Sequence, residues 1–542
     1  MANRFSDTLF QLIHSLEKSE KRHFKLYIKR SSTKEDLKIV QLFDAMDKLS
    51  DYDEKMLLKK LPGIEKPQLS NLKTHLYKQI LASLRLLKSA ESIDLQLNEM
   101  FDYAHILYKK GLFVQSLRML DRAKETAKAN QKFNFLAQVL ALEKRIETLH
   151  ITHSMQMRAE QLSAEALEVS GRIDMVARLS NLAMQLYSWY IRNGHARNER
   201  DEEEIRRWLD VNLPAQARSQ TGFYERLYLY QIYNWYAFIR QDFLMYYRYS
   251  QKWVDLFDEQ PLMIRVETGH YIKGLHNLLN AHFDLRNYQK FEVTLQQFEA
   301  FATTARVREN DNFRIQSFLY ITTAKINQHF MLGTFREGLQ MVPEIEEKLA
   351  EYDLFIDRHR ILVLNYKIAT LHFGSEEYGA CIDYLQRIIN DQVDMRNDLQ
   401  SYARVLHLMA HYELGNFELM ESLTKSVYRF MAKKENLTRM EEEMFKFLRH
   451  TFHLSRHSLK AEFGKFLLKI KQFEKNRWET RAFAYLDLVS WVESKVNQVP
   501  MSQVIREKYL NNPKRHHVPR PENRPSVQVP PTPSPAVKAK KM

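Results

Sequence analysis

Leu69, Leu72, Leu76, Ile80, Leu84 and Leu87 recur at intervals of three and four residues through "QLSNLKTHLYKQILASLRLL". Such spacing puts them on one face of a helix that begins after Pro67. Upstream, Leu37, Val40, Phe43, Met46 and Leu49 form a second stripe behind the capping box "STKE" at 32–35. Between the two, "DEKMLLKKL" reads as a short helix ended by Pro62 and Gly63. These segments predict a compact helical module over residues 1–90. Apolar-periodic segments then continue to about residue 475, and no sheet is predicted.

A recurring turn separates those later segments. It reads "KGLF" at 110–113, "RQDF" at 240–243, "LRNY" at 285–288, "LGTF" at 332–335, "SEEY" at 375–378 and "LGNF" at 414–417. Each sets a polar or small turn before an aromatic that opens the next helix. From Phe243 the aromatics Tyr288, Phe335, Tyr378 and Phe417 follow at gaps of 45, 47, 43 and 39 residues. The 130 residues from Phe113 to Phe243 leave room for two degenerate units, turning near Thr152 and near "RNGHARNER" at 192–200. A period of this size with two helices per unit predicts an α-solenoid.

The opening aromatic resembles the one after the helix A–helix B turn of tetratricopeptide repeats. "YELGNFELMESLTKSVYRF" and "FMLGTFREGLQMV" carry the resemblance, which covers roughly residues 93–475. The units are longer than that family's repeat of about 34 residues. The family places a small residue three positions after the turn aromatic. Ser116, Gly338 and Cys381 match this, whereas Tyr246, Phe291 and Met420 depart from it. The resemblance implies binding of peptides and proteins.

Scarce breakers support an all-α chain. Gly numbers 13 and Pro 14 in 542 residues, and eight of the prolines follow Asn512. The fold class expected is an α-solenoid of about nine antiparallel helix pairs. Residues 1–90 form a basic amino-terminal module, 91–477 the repeat array and 478–511 the capping helices. Residues 512–542 form a disordered, basic, Pro-rich tail. "WETRAFAYLDLVSWVESKV" supplies the cap, with Phe483, Leu486, Val489 and Val492 on one side. A single cysteine, Cys381, excludes an internal disulfide and fits a cytoplasmic protein. No membrane span is expected.

The net charge of +14 gathers at the ends, with +7 in residues 1–90 and +6 in 512–542. That distribution suggests a polyanionic partner, or solubility alone. Lys21, Lys25 and Lys29, with Arg22 beside them, form a basic stripe on "SEKRHFKLYIKR"; Lys514 and Arg515 extend the charge in the tail. These six are the candidate polyanion contacts, and weak binding of nucleic acid with little sequence preference is expected of them. Residues 53–79 also admit a helix-turn-helix reading, in which Gln68, Ser70, Asn71, Lys73, Thr74 and Lys78 would meet DNA.

The stretch 223–257 holds 14 aromatics in 35 residues. They are either core filling or a peptide groove lined by Tyr230, Tyr233, Trp235 and Tyr236. His450, His453 and His457, with Glu443, share one helical face, but Arg449 and Arg456 flank them and no metal site is expected. His407 and His411 read as groove or packing residues. Cys381 reads as a small packing residue. No catalytic motif and no cofactor signature occurs. The expected function is a non-enzymatic protein-interaction scaffold or adaptor. The alternative is a peptide-responsive transcription regulator binding DNA through residues 1–90.

Overall fold

The computed structural model describes residues 7–29, 34–61, 64, 66–150, 158–353, 355–391, 397–433, 437–451, 454, 456–473, 476, 478–479 and 487–513. Every regular element among them is helical, and no strand occurs among the described residues. Ser32 and Thr33 of the capping box, the expected turn near Thr152, and Phe483 and Leu486 of the cap lie outside the described residues. The chain divides into two compact units, Met1–Ala177 and Arg178–Met542.

The first unit opens with α1 (Thr8–Ser15), α2 (Lys18–Lys29), α3 (Lys34–Asp47), α4 (Glu54–Lys60) and α5 (Lys66–Lys88). Their apolar stripes meet in one core, where Phe10, Phe24, Phe43, Met46, Leu76 and Ile80 are all buried. Asp7 and Asp53 cap α1 and α4, each side chain accepting from two backbone N–H groups of the first turn. Next come α6 (Ile93–Lys109), α7 (Phe113–Ala129), α8 (Phe133–His150) and α9 (Arg158–Asn193), packed around Leu97, Leu120, Leu140 and Ile146. The division between the units falls within α9.

The second unit continues with α10 (Glu199–Asn212), α11 (Phe223–Ile239), α12 (Phe243–Glu259) and the short α13 (Leu262–Val266). Then come α14 (Thr268–Asp284), α15 (Tyr288–Ala302), α16 (Ala305–Arg308) and α17 (Asp311–Leu332). A broken second helix follows, α18 (Phe335–Leu339) and α19 (Val342–Glu351). The next elements are α20 (Arg358–Gly374), α21 (Tyr378–Ile389), α22 (Asn397–Glu413) and α23 (Phe417–Lys433). After them come α24 (Arg439–Thr451), α25 (Arg456–Lys471), α26 (Leu488–Asn497) and α27 (Met501–Leu510). The 192–200 segment is a turn, as expected, but no turn interrupts the 36-residue α9.

One backbone device builds the turns. Gly111, Gln131, Gln241, Arg286, Gly333, Glu376 and Gly415 all have positive φ, between 52° and 77°. Each lies two residues before an aromatic that opens a helix. The residue after each donates its N–H to a carbonyl five positions back, as Leu112 does to Leu107 at 3.0 Å and Asp242 to Ala237 at 2.9 Å. This closes the end of the preceding helix by satisfying one of its free carbonyls. Glycine adopts that conformation freely; Gln131, Gln241, Arg286 and Glu376 do so with a side chain. The turn at Gln131 went unread in the sequence because Phe133 lies only 20 residues after Phe113, outside the spacing of 39–47 residues that links the later turn aromatics.

Three residues past the aromatic, Ser116, Tyr246, Phe291, Gly338, Cys381 and Met420 are all buried. At Gly338 the next helix comes too close for a side chain: a Cβ there would lie 2.7 Å from Leu371 Cδ2.

Candidate functional site

The second unit contains a cavity of about 780 Å³. The turns set its lining. Counting back from the positive-φ residues Arg286, Gly333 and Glu376, the third position is Phe283, Phe330 and Phe373. The sixth is Asn280, Asn327 and Thr370. The tenth is His276, Thr323 and Tyr366, and the thirteenth is Lys273, Tyr320 and Val363. All twelve line the cavity. Steps of three and four residues define one helical face, so α14, α17 and α20 turn equivalent faces inward. Trp235 and Phe238 of α11 add an aromatic wall with Tyr187 and Tyr190. The α26–α27 hairpin adds Val489, Met501, Ile505 and Lys508. Its Tyr509 rests edge-on against Tyr288, with ring centroids 4.8 Å apart.

The lining holds five Lys or Arg side chains, Lys273, Arg286, Arg360, Lys367 and Lys508, against two carboxylates, Asp284 and Asp487. Asp487 is occupied in capping α26, accepting from Ser490 N at 2.9 Å. Lys508 pairs with Glu493 at 2.7 Å, and Arg360 with Asp357 at 3.0 Å. Lys273 has no hydrogen bond or ion pair among the described residues. Its ammonium lies over the rings of Tyr187 and Trp235, at 5.0 and 5.5 Å. Burial, with Arg360 adding to it, pushes its pKa down to about 8. Lys367 donates to Asn327 Oδ1 at 2.5 Å and lies 5.5 Å from the Phe330 ring. Burial likewise lowers it to about 8, although Asp284 opposes the shift.

His276 stacks on Tyr320 at 3.8 Å, and Arg360 lies 5.4 Å from the same ring. Burial, then Arg360, Lys273 and Lys367, push His276 down to about 3, so it is neutral. Burial raises the Asp284 carboxyl to about 7 despite Arg286 and Lys367. Three polar atoms of lining residues lack partners among the described residues: Nδ2 of Asn277, a residue only 4% exposed, Nη1 of Arg286, and the acceptor Oε1 of Gln241.

Of the four aromatics expected in a groove, only Trp235 reaches the cavity. Tyr233 is buried, stacked on Tyr249 at 4.7 Å, and Arg218 Nε donates to its hydroxyl at 2.9 Å. Tyr230 lies against the same Tyr249, and Tyr236 is buried beneath Arg240.

In the first unit, Lys21 pairs with Asp47 and Lys25 with Asp44, each at 2.6 Å, while Arg22 and Lys29 are exposed. Lys73 points inward. It pairs with Asp7 and donates to the Tyr52 hydroxyl at 2.9 Å. Asn71 is exposed. Lys514, Arg515 and His453 lie outside the described residues. His450 is exposed, and Glu443 is held by Lys446 and Lys469. Cys381 is fully buried, and burial pushes its thiol well up.

Together these features define a helix-pair array with one face of α14, α17 and α20 turned onto a polar, aromatic-walled cavity. No protein-family model and no curated protein matches the chain.

Proposed function

We propose that the chain is a non-enzymatic, tetratricopeptide-like binding protein of the cytoplasm, whose second unit takes up a segment of a partner. The observation that supports this reading is the repeated inward face. Phenylalanines, amides, hydroxyls and aromatic side walls on one lining are the mixture that binds ligands in concave sites. The lining is preorganised by backbone turns, which lowers the entropy cost of binding. The single thiol, buried, suits a reducing compartment.

The polyanion and DNA readings gain no comparable support. Lys21 and Lys25 already hold carboxylate partners, and Lys73 is committed to Asp7.

Site-specific photocrosslinking tests the proposal. A photoreactive residue at Gln316, inside the cavity, should give one discrete adduct in cells. Mass spectrometry should map that adduct to one contiguous segment of one partner. A residue at exposed Lys465 is the control. Equal, diffuse labelling from both positions would refute the reading.

A further inference from the structure

The cations of the cavity are placed as if for a counter-ion that the protein does not itself supply. Lys273 has two adjoining rings beside it and no carboxylate among the described residues. Lys367 spends one donor on Asn327, and Arg286 keeps a buried Nη1 without an acceptor among the described residues. Beside them Asn277 holds an unpaired Nδ2 at a position almost wholly removed from water. A buried donor left without a partner is costly, and a buried cation more so. Natural structures rarely leave such groups unsatisfied, and a bound water, ion or ligand is what completes them.

We infer that the cavity binds a polyanionic ligand through carboxylate or phosphate groups, one met by Lys273 and another by Arg286 about 20 Å further on at the end of α14, with Lys367 entering from α20 and Asn277 as a neutral donor. The inference rests on the cavity being a ligand site, and not on the ligand being a segment of protein. Each oxyanion offers several acceptor lone pairs, so a ligand with more than one such group suits donors spread along the lining. The neutral His276 stacked on Tyr320 adds a flat wall without adding charge. Asp284 does not oppose such a ligand as a full carboxylate would, since burial keeps its proton partly bound near neutral pH. The cavity size falls in the range of small-molecule sites, and the α26–α27 hairpin walls one side of it.

The test uses the full chain, with citrate and inorganic phosphate titrated separately by calorimetry at constant ionic strength, and chloride as the control. Saturable binding of one or both is expected. Citrate alone assigns a carboxylate, and phosphate alone a phosphate. The Lys273→Met, Lys367→Met double variant should bind at least about tenfold more weakly. Lys465→Met, on the outer surface, should bind as the parent does. Thr323→Glu, which leaves every lysine in place and sets a carboxylate in the lining, should weaken binding as well. This variant keeps the test decisive if the double variant does not fold. No binding of either anion up to about 10 mM, or binding unchanged in Thr323→Glu, would overturn the inference.

The two ideas separate cleanly. A mapped adduct at Gln316 without anion binding sinks the oxyanion and leaves the partner reading. Anion binding without an adduct does the reverse.

Discussion

Acidification should unfold the second unit well before a typical carboxylate titrates. Burial pushes His276 and His282 down to about 3, and His270 and His407 down to about 4. Three of these four lie on α14. A depressed histidine binds its proton more tightly in the unfolded chain, so the stability is present above pH 6.5 and is lost as pH falls. Between pH 7 and pH 5 each such group costs about 2 kcal/mol, and the four about 7 kcal/mol. Asp284 acts in the opposite sense. Its carboxyl is raised to about 7, so the folded chain gains the proton first and recovers about 2 kcal/mol over the same range.

The net loss is about 5 kcal/mol, comparable to the whole stability of many domains at about 5–15 kcal/mol. All six tryptophans lie at Trp189 or later, so their fluorescence reports the second unit alone. Guanidinium titrations followed by that signal at pH 7, 6 and 5 should show the midpoint falling steeply. His282 is fully buried with Nδ1 unpaired, and His282→Gln has no proton to gain. That variant should retain about 2 kcal/mol more of its neutral-pH stability at pH 5 than the parent does. Parent stability that is flat from pH 7 to 5, or an identical loss in His282→Gln, would refute the assignment of buried neutral imidazoles.

Lys273→Met should stabilise the unliganded chain at pH 7, by roughly 2–3 kcal/mol. The lysine's folded pKa, about 8, lies below its unfolded value of 10.5. The variant's advantage should therefore shrink as pH rises from 8 to 10, which paired melting curves would show. Glu376→Gly should raise the melting temperature, since a left-handed side-chain residue costs about 1 kcal/mol that glycine avoids; a fall would mean that Glu376 makes compensating contacts. Lys124→Ala should destabilise the first unit by about 3 kcal/mol. It strips the fully buried Glu143 of its 2.5 Å partner and leaves only Arg158 at 3.3 Å. Circular dichroism melts would detect this, and a neutral result would place Glu143 in its protonated form.

The helix pairs were legible in the sequence because the turn aromatics are large, periodic and tied to a chain reversal that leaves few alternatives. The turn before Phe133 escaped because that aromatic follows Phe113 by only 20 residues and so falls outside the longer period. The 36-residue α9 escaped because periodicity alone sets no upper length on a helix. Lys73 misled for a different reason. A lysine among Gln68, Ser70 and Asn71 looks like a contact residue, and only the fold brings Asp7 and Tyr52 around its ammonium. The aromatic stretch was undecidable locally. Tyr233 and Trp235 are two positions apart on one helix, yet one stacks in the interior and the other walls the cavity.

The cavity itself was within reach once the turns were found. Alignment on the turn aromatics stacks Phe283, Phe330 and Phe373, and above them Asn280, Asn327 and Thr370. Polar side chains at matching positions of otherwise apolar helices carry a desolvation cost, so a repeat that keeps them inward in successive units is lining a wetted or liganded space. Ring density does not mark that space, because core packing produces it as well. What the sequence could not supply is the charge balance of that space. Lys273, Arg360 and Lys367 come from two helices, and whether they meet a carboxylate depends on Asp357 reaching Arg360 while none reaches Lys273. A cation's partner is set by the fold, and it is the missing partner, more than the cation, that points to an anionic ligand.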